Sequence, residues 1–172
     1  NAPQPKYRCL VWACPAHYYT NFTYWTQHCW GVTCVNDMEA MLSYLPITIG
    51  DKEQALADLV RCYEKMMMRS HTNGGYVNLL DECWKMCEKF HTNIVIMYDH
   101  VSCKNVGGLH GLFEDQARER GIHLIWIPHD VMDPRTVSRR EMREAFSQYM
   151  VTVLNEKPLD PTLLDYEDAL SW

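Results

Sequence analysis

Two apolar runs, Ile94-Val95-Ile96-Met97-Tyr98 and His123-Leu124-Ile125-Trp126-Ile127, flank a helical pattern from Leu109 to Arg120. The first run does not alternate with polar residues. That suits a strand buried on both faces. Gly121 stands where a helix C-cap belongs, and Pro128 closes the second run. Strand, helix and strand within about forty residues make a βαβ unit, whose strands are expected parallel with a right-handed crossover. Two shorter runs extend the pattern: Tyr7 to Cys14, stopped by Pro15, and Val32 to Val35. Strands are therefore expected near residues 8–14, 32–36, 94–98 and 123–127.

Helical stretches fill the gaps between these runs. Asn21 to Cys29 is one, with Phe22, Tyr24, Trp25 and Trp30 expected to pack on the sheet. Asp51 reads as the N-cap of a helix from Lys52 to Met68, with Gln54 in a capping-box position. Its apolar stripe is Leu56, Leu59, Val60, Tyr63, Met66 and Met67, and the three methionines read as core filler. His71 to Tyr76, with Gly74-Gly75, reads as a polar connecting loop. Val77 to Phe90 is helical, and Ser138 with Glu141 forms a capping box ahead of a helix running to Leu154. The fold class this predicts is α/β: a parallel sheet of about four strands with helices on both faces, a three-layer Rossmann or flavodoxin-like arrangement. Residues 1–156 form that domain. Residues 157–172 form an extended acidic tail, expected to cross a partner through Leu170 and Trp172.

The chain has 172 residues, 47% of them hydrophobic, enough for one domain with a full core. The net charge is -6 and there is no basic block, which argues against nucleic acid as a partner. No apolar run is long enough for a membrane span. The 8 cysteines sit in apolar strands and helices, which suits free thiols in a reducing cytoplasm. Cys83 and Cys87, four apart on a helix, read as packed thiols. A P-loop and a Gly-x-Gly-x-x-Gly fingerprint are both lacking, so neither ATP nor nicotinamide chemistry has support.

Ligands of open parallel sheets bind at the carboxyl ends of strands. Two loops qualify. After the third strand come His100, Cys103 and Lys104; after the first comes His17. Cys103 can be a small buried hydrophobe, a nucleophile, or an iron–sulfur or zinc ligand, and without a CxxC pair its spacing does not choose. His17 can be a proton donor or a surface histidine.

The apolar strand, His100-Val101-Ser102-Cys103-Lys104, the helix ending Arg120-Gly121-Ile122-His123-Leu124, and Asp130-x-x-Asp133-Pro134-Arg135 together resemble the C-terminal part of the benzoyl-CoA reductase and 2-hydroxyacyl-CoA dehydratase family. The resemblance implies that Cys103 is one of three protein cysteines holding a [4Fe–4S] cluster. His100 and Lys104 would surround that cluster, and the other two cysteines would lie in an N-terminal half outside this chain. The chain would then be the C-terminal portion of a larger subunit. The resemblance further implies an oxygen-sensitive enzyme that receives low-potential electrons from an ATP-hydrolysing iron–sulfur activator and works beside a homologous cluster-binding subunit. Its substrate would be an acyl-CoA. The aromatic residues near the first strand, and the tail, favour ring reduction of an aromatic acyl-CoA. The alternative is radical dehydration of a 2-hydroxyacyl-CoA. His17 is the expected proton donor. A reading of another class is a non-catalytic α/β scaffold that needs no iron.

Overall fold

A sheet of four parallel strands in the order β2-β1-β3-β4 forms the centre of the computed structural model, which describes residues 5–38 and 45–165. The strands are β1 Tyr7–Trp12, β2 Val32–Asp37, β3 Ile94–His100 and β4 His123–His129. All three pairings are parallel, as the apolar runs predict. Ile94 to Tyr98 is buried at every position, because layers of helices cover both faces.

Period-two alternation sorts the core into two halves. On one face Tyr98 meets Phe22 of α1 (Phe22–Trp30), and Phe22 meets Phe146 of α6 (Arg139–Thr152) edge to face at 5.8 Å. On the other, Trp126 packs on Phe113 of α5 (His110–Arg120), which meets Trp84 of α3 (Met67–Phe90) at 5.7 Å. Cys83 and Cys87 are buried in this second layer as the packed pair the sequence suggests. α5 ends at Gly121 with φ +66°, a left-handed cap that an L side chain would strain.

Three expectations are corrected. His71 to Tyr76 is not a loop: it lies within α3, which kinks at Gly75, where φ is +72°. The helix expected over 52–68 is two helices, α2 (Lys52–Glu64) and the start of α3. The apolar stripe of α2 faces outward: Leu56, Leu59, Val60 and Tyr63 are all exposed, as is Tyr24 on α1. The inward face of α2 instead buries Asp58, whose carboxylate accepts the Thr48 N–H (2.8 Å), the Thr48 hydroxyl (2.7 Å) and the Gln54 amide (2.9 Å), and pairs with Arg61. These bonds hold the carboxyl near pH 2, the Thr48 hydroxyl contributing most. A hydrophobic stripe says that a helix has an apolar face; it does not say what covers it.

Helices α2 and α6 are capped as their sequences indicate. Asp51 accepts the Gln54 N–H at 3.1 Å, and Ser138 and Glu141 complete a reciprocal capping box. The described part of the tail runs back along α1. Leu159 donates its N–H to Cys29 O at 2.7 Å, and Trp25 donates its indole N–H to Leu163 O at 2.9 Å. Leu170 and Trp172 lie outside the described residues. No helix among the described residues is long and apolar enough to cross a membrane.

Two measurements check this architecture. Phe146→Ala is expected to cost about 3–5 kcal/mol in denaturant unfolding, whereas Leu59→Ala on α2 changes stability by no more than about 0.5 kcal/mol. The second concerns Asp58. Its folded carboxyl is depressed from an ordinary 3.8 to about 2, so its stabilising effect is fully present above pH 3.8 and is lost as pH falls towards 2. Asp58→Asn should therefore melt below the parent at neutral pH, with the gap closing between about pH 4 and pH 2 in thermal scans.

Candidate functional site

The carboxyl ends of β1, β3 and β4 open onto one cavity of about 190 Å³. Trp12, the last residue of β1, and Tyr98, two residues before the end of β3, line it and are buried. Two thiols, Cys14 from the loop after β1 and Cys103 from the loop after β3, line the same cavity. β1 and β3 are adjacent in the sheet, which is why the two loops meet.

Cys103 is half-buried and occupies the N-cap of a short helix, α4 (Lys104–Gly107); its N–H bonds to His100 O at 2.9 Å. His100, the last residue of β3, also lines the cavity. Its Nδ1 accepts the Ser102 N–H at 3.0 Å, so in the neutral ring Nε2 carries the proton. Lys104 is exposed and lies outside the cavity wall. His17 is exposed at the rim, with Nε2 3.8 Å from Cys14 Sγ and its N–H bonded to Val131 O at 2.9 Å. The structure thus brings Cys103 and His100 together with Cys14, and sets His17 behind Cys14.

The loops after β1 and β4 are stitched to each other. The Tyr18 hydroxyl donates to Val137 O at 2.6 Å, and Arg139 Nε donates to Tyr18 O at 3.0 Å. The Asp130-x-x-Asp133-Pro134-Arg135 segment folds on itself: Asp130 accepts the N–H groups of Met132 and Asp133 at 2.8 Å each, and Asp133 binds Arg135. The bonds from Arg135 depress the Asp133 carboxyl to about 2. The segment is a turn that aims Val131 at the cavity, not a ligand set.

Sequence reasoning missed four residues. Cys14 reads as a strand end, yet β1 stops at Trp12, Ala13 takes φ +67°, and Cys14 lines the cavity. Trp12 and His71 line the cavity, and neither Trp12 Nε1 nor His71 Nε2 has a hydrogen-bond partner among the described residues. His129 is fully buried behind His100, its ring 5.4 Å from it. Burial lowers the pKa of His129, and the neighbouring His100 adds to this. His71 is likewise lowered by burial. Burial pushes the Tyr98 hydroxyl well up. A buried polar residue in a strand carries no periodic mark, so only the unpaired atoms reveal these positions.

The donor chemistry suits an iron–sulfur cluster in part. Thiols are the right ligands and two face one cavity. Among the described residues no three His, Cys, Asp or Glu side chains gather into a metal site, so a cluster here would need ligands from elsewhere. All 8 cysteines are free thiols.

No curated protein matches the chain. The family model of the 2-hydroxyglutaryl-CoA dehydratase D-component matches residues 1–150. The match supports the broader family that the His100–Lys104 loop resembles, without singling out the benzoyl-CoA branch. With the match covering 150 of 172 residues, over a parallel sheet with thiols at its carboxyl edge, the chain belongs to the 2-hydroxyglutaryl-CoA dehydratase D-component family, whose members are acyl-CoA dehydratase-type enzyme components.

Proposed function

We propose that this chain forms the part of an acyl-CoA-processing subunit in which Cys103 supplies one thiolate to a [4Fe–4S] cluster beside the bound acyl group. The observation that carries this is the joint placement of Cys103, Cys14 and His100 on one largely apolar cavity at the carboxyl edge of the sheet. When bound, the cluster supplies a low-potential electron received from an ATP-hydrolysing iron–sulfur activator. The other cluster ligands come from residues outside those described, and a homologous cluster-binding subunit is the partner.

The chain's own residues do the rest. Trp12 and Tyr98 wall off water, which strengthens every polar contact inside. His100, its tautomer set by the Ser102 N–H, offers a hydrogen bond from Nε2. His17, exposed beside Cys14, would pass a proton to the leaving or accepting atom. The family's name favours elimination of water from a 2-hydroxyacyl-CoA. The aromatic residues that seemed to favour an aromatic substrate serve the core instead: Phe22, Trp25 and Trp30 are buried there. The second reading, ring reduction of a benzoyl-CoA-type substrate, keeps the support of Trp12 and Tyr98 in the cavity wall.

Two experiments on the complete, anaerobically purified enzyme test this. Cys103→Ala should lose cluster iron and its EPR signal while Cys14→Ala, the neighbouring thiol, retains them; full iron in Cys103→Ala would return that residue to a packed thiol. His17→Ala should lower kcat by about 10²–10⁴-fold at unchanged iron content. Unchanged turnover would leave His17 a surface histidine.

A further inference from the structure

Two thiols that play no part in the cavity sit side by side on neighbouring strands. β1 and β2 pair in parallel register through Tyr7↔Val32, Arg8↔Thr33 and Cys9↔Cys34, and then slip, so that Leu10 meets Asn36. Cys9 and Cys34 are therefore the last regular pair before a bulge. Directly paired residues of parallel strands point to the same face of the sheet. Neighbouring strands lie about 4.8 Å apart, inside the roughly 4.4–6.8 Å between Cα atoms that a disulfide spans. The side chains also meet: the Cys9 thiol hydrogen-bonds the Cys34 sulfur.

Their surroundings differ. β1 has a strand on each side, and Cys9 is 0% exposed. β2 is an edge strand, and Cys34 is only half-buried.

We propose that Cys9 and Cys34 are an oxidisable dithiol, which a peroxide converts into a disulfide joining β1 to β2.

The asymmetry of the pair assigns the roles. The hydrogen bond from Cys9 stabilises a thiolate on Cys34 and lowers its pKa; the same bond, with burial, holds the Cys9 thiol well up. Cys34 also meets solvent, so it is the nucleophile. Its sulfur attacks one peroxide oxygen and the O–O bond breaks. Cys34 becomes a sulfenic acid, and the other oxygen takes up a proton and leaves as water or an alcohol. The Cys9 sulfur then attacks the sulfenic sulfur. An S–S bond forms, the S–O bond breaks, and the hydroxyl leaves as water with the proton of Cys9. Two electrons pass from the two sulfurs to the peroxide.

Cys83 and Cys87 provide the contrast. They too hydrogen-bond each other, one turn apart on α3. They are 0% and 1% exposed, so neither thiol of that pair can open the reaction in the folded chain. The inference involves neither the cavity nor a cluster, and Cys103→Ala should form the same cross-link as the parent.

The test treats the complete protein, anaerobically purified, reduced and then freed of reductant, with rising doses of hydrogen peroxide. Remaining thiols are blocked with N-ethylmaleimide, and the protein is digested without reduction for mass spectrometry. A peptide carrying Cys9 joined to Cys34, lighter by two hydrogens than the separate pair, is expected at doses about tenfold below those that alter Cys83 or Cys87. In Cys34→Ser, Cys9 should stay reduced. In Cys9→Ser, Cys34 should stop at the sulfenic acid and be captured by dimedone. The proposal is overturned if Cys34 of the parent protein is oxidised without a linked peptide, or stays reduced where the buried helical pair reacts. Oxidation of Cys9 at the same dose in Cys34→Ser would overturn the assigned order of attack.

Discussion

Parallel pairing of β1 with β3 is the constraint on which the site depends. Parallel strands slant their hydrogen bonds and need long crossovers, so such sheets are stable only with helices over both faces. Here that cover is complete at the centre: Ile94, Val95, Ile96 and Met97 have no exposed surface. Backbone groups buried this deeply leave the ladder only where the strands end. The chain therefore turns away at Ala13 and Val101, and polar chemistry becomes affordable at that edge alone. With β1 and β3 as neighbours in register from Cys9↔Ile94 to Trp12↔Met97, the loop after β1 begins beside Tyr98, while β3 runs on to His100 before its own loop begins. Cys14 and Cys103 reach one cavity as a consequence of sheet order, not of any motif that joins them in sequence.

The cavity's electrostatics follow from the same burial. Desolvation holds His71 and His129 towards the neutral form and the Tyr98 hydroxyl towards the protonated one. The strongly depressed carboxyls, Asp58 and Asp133, lie elsewhere and spend their charge on local turns. The wall is thus largely apolar and neutral, with thiols at one side.

Much of this architecture is legible in the residues themselves. The four apolar runs locate the strands to within about two residues, the usual uncertainty of strand ends, because β-branched residues in short unbroken runs have few other uses. Gly121 and the Ser138–Glu141 box mark helix ends through specific hydrogen bonds, which is why they read correctly. The misses share a cause. Gly74-Gly75 looks like a loop, but the break is one residue long: Gly75 leaves the helical conformation and two helical stretches abut across it. The outward stripe of α2 and the exposed Tyr24 depend on which neighbour exists, which local pattern does not encode. His71 and Trp12 escaped notice because their significance lies in the hydrogen bonds they fail to make.

Ala13 shows how the edge of a sheet is bent to present a side chain. Its φ of +67° lies in the left-handed region that glycine enters freely and alanine enters at about 1–2 kcal/mol. The conformation persists because both sides over-determine it. Trp12 before it is locked in the core, and Pro15 after it fixes the next turn while needing no hydrogen-bond acceptor. His17 then ties the loop to Val131, and Tyr18 ties it to Val137. Had Ala13 stayed extended, the alternation of β1 would have continued, and Cys14 would have followed Trp12 and Leu10 onto the α3 and α5 face of the sheet. The left-handed turn ends that alternation at Cys14, which lines the cavity together with Trp12 and His71. Local strain at one residue thus accompanies the end of the strand, where the cavity begins.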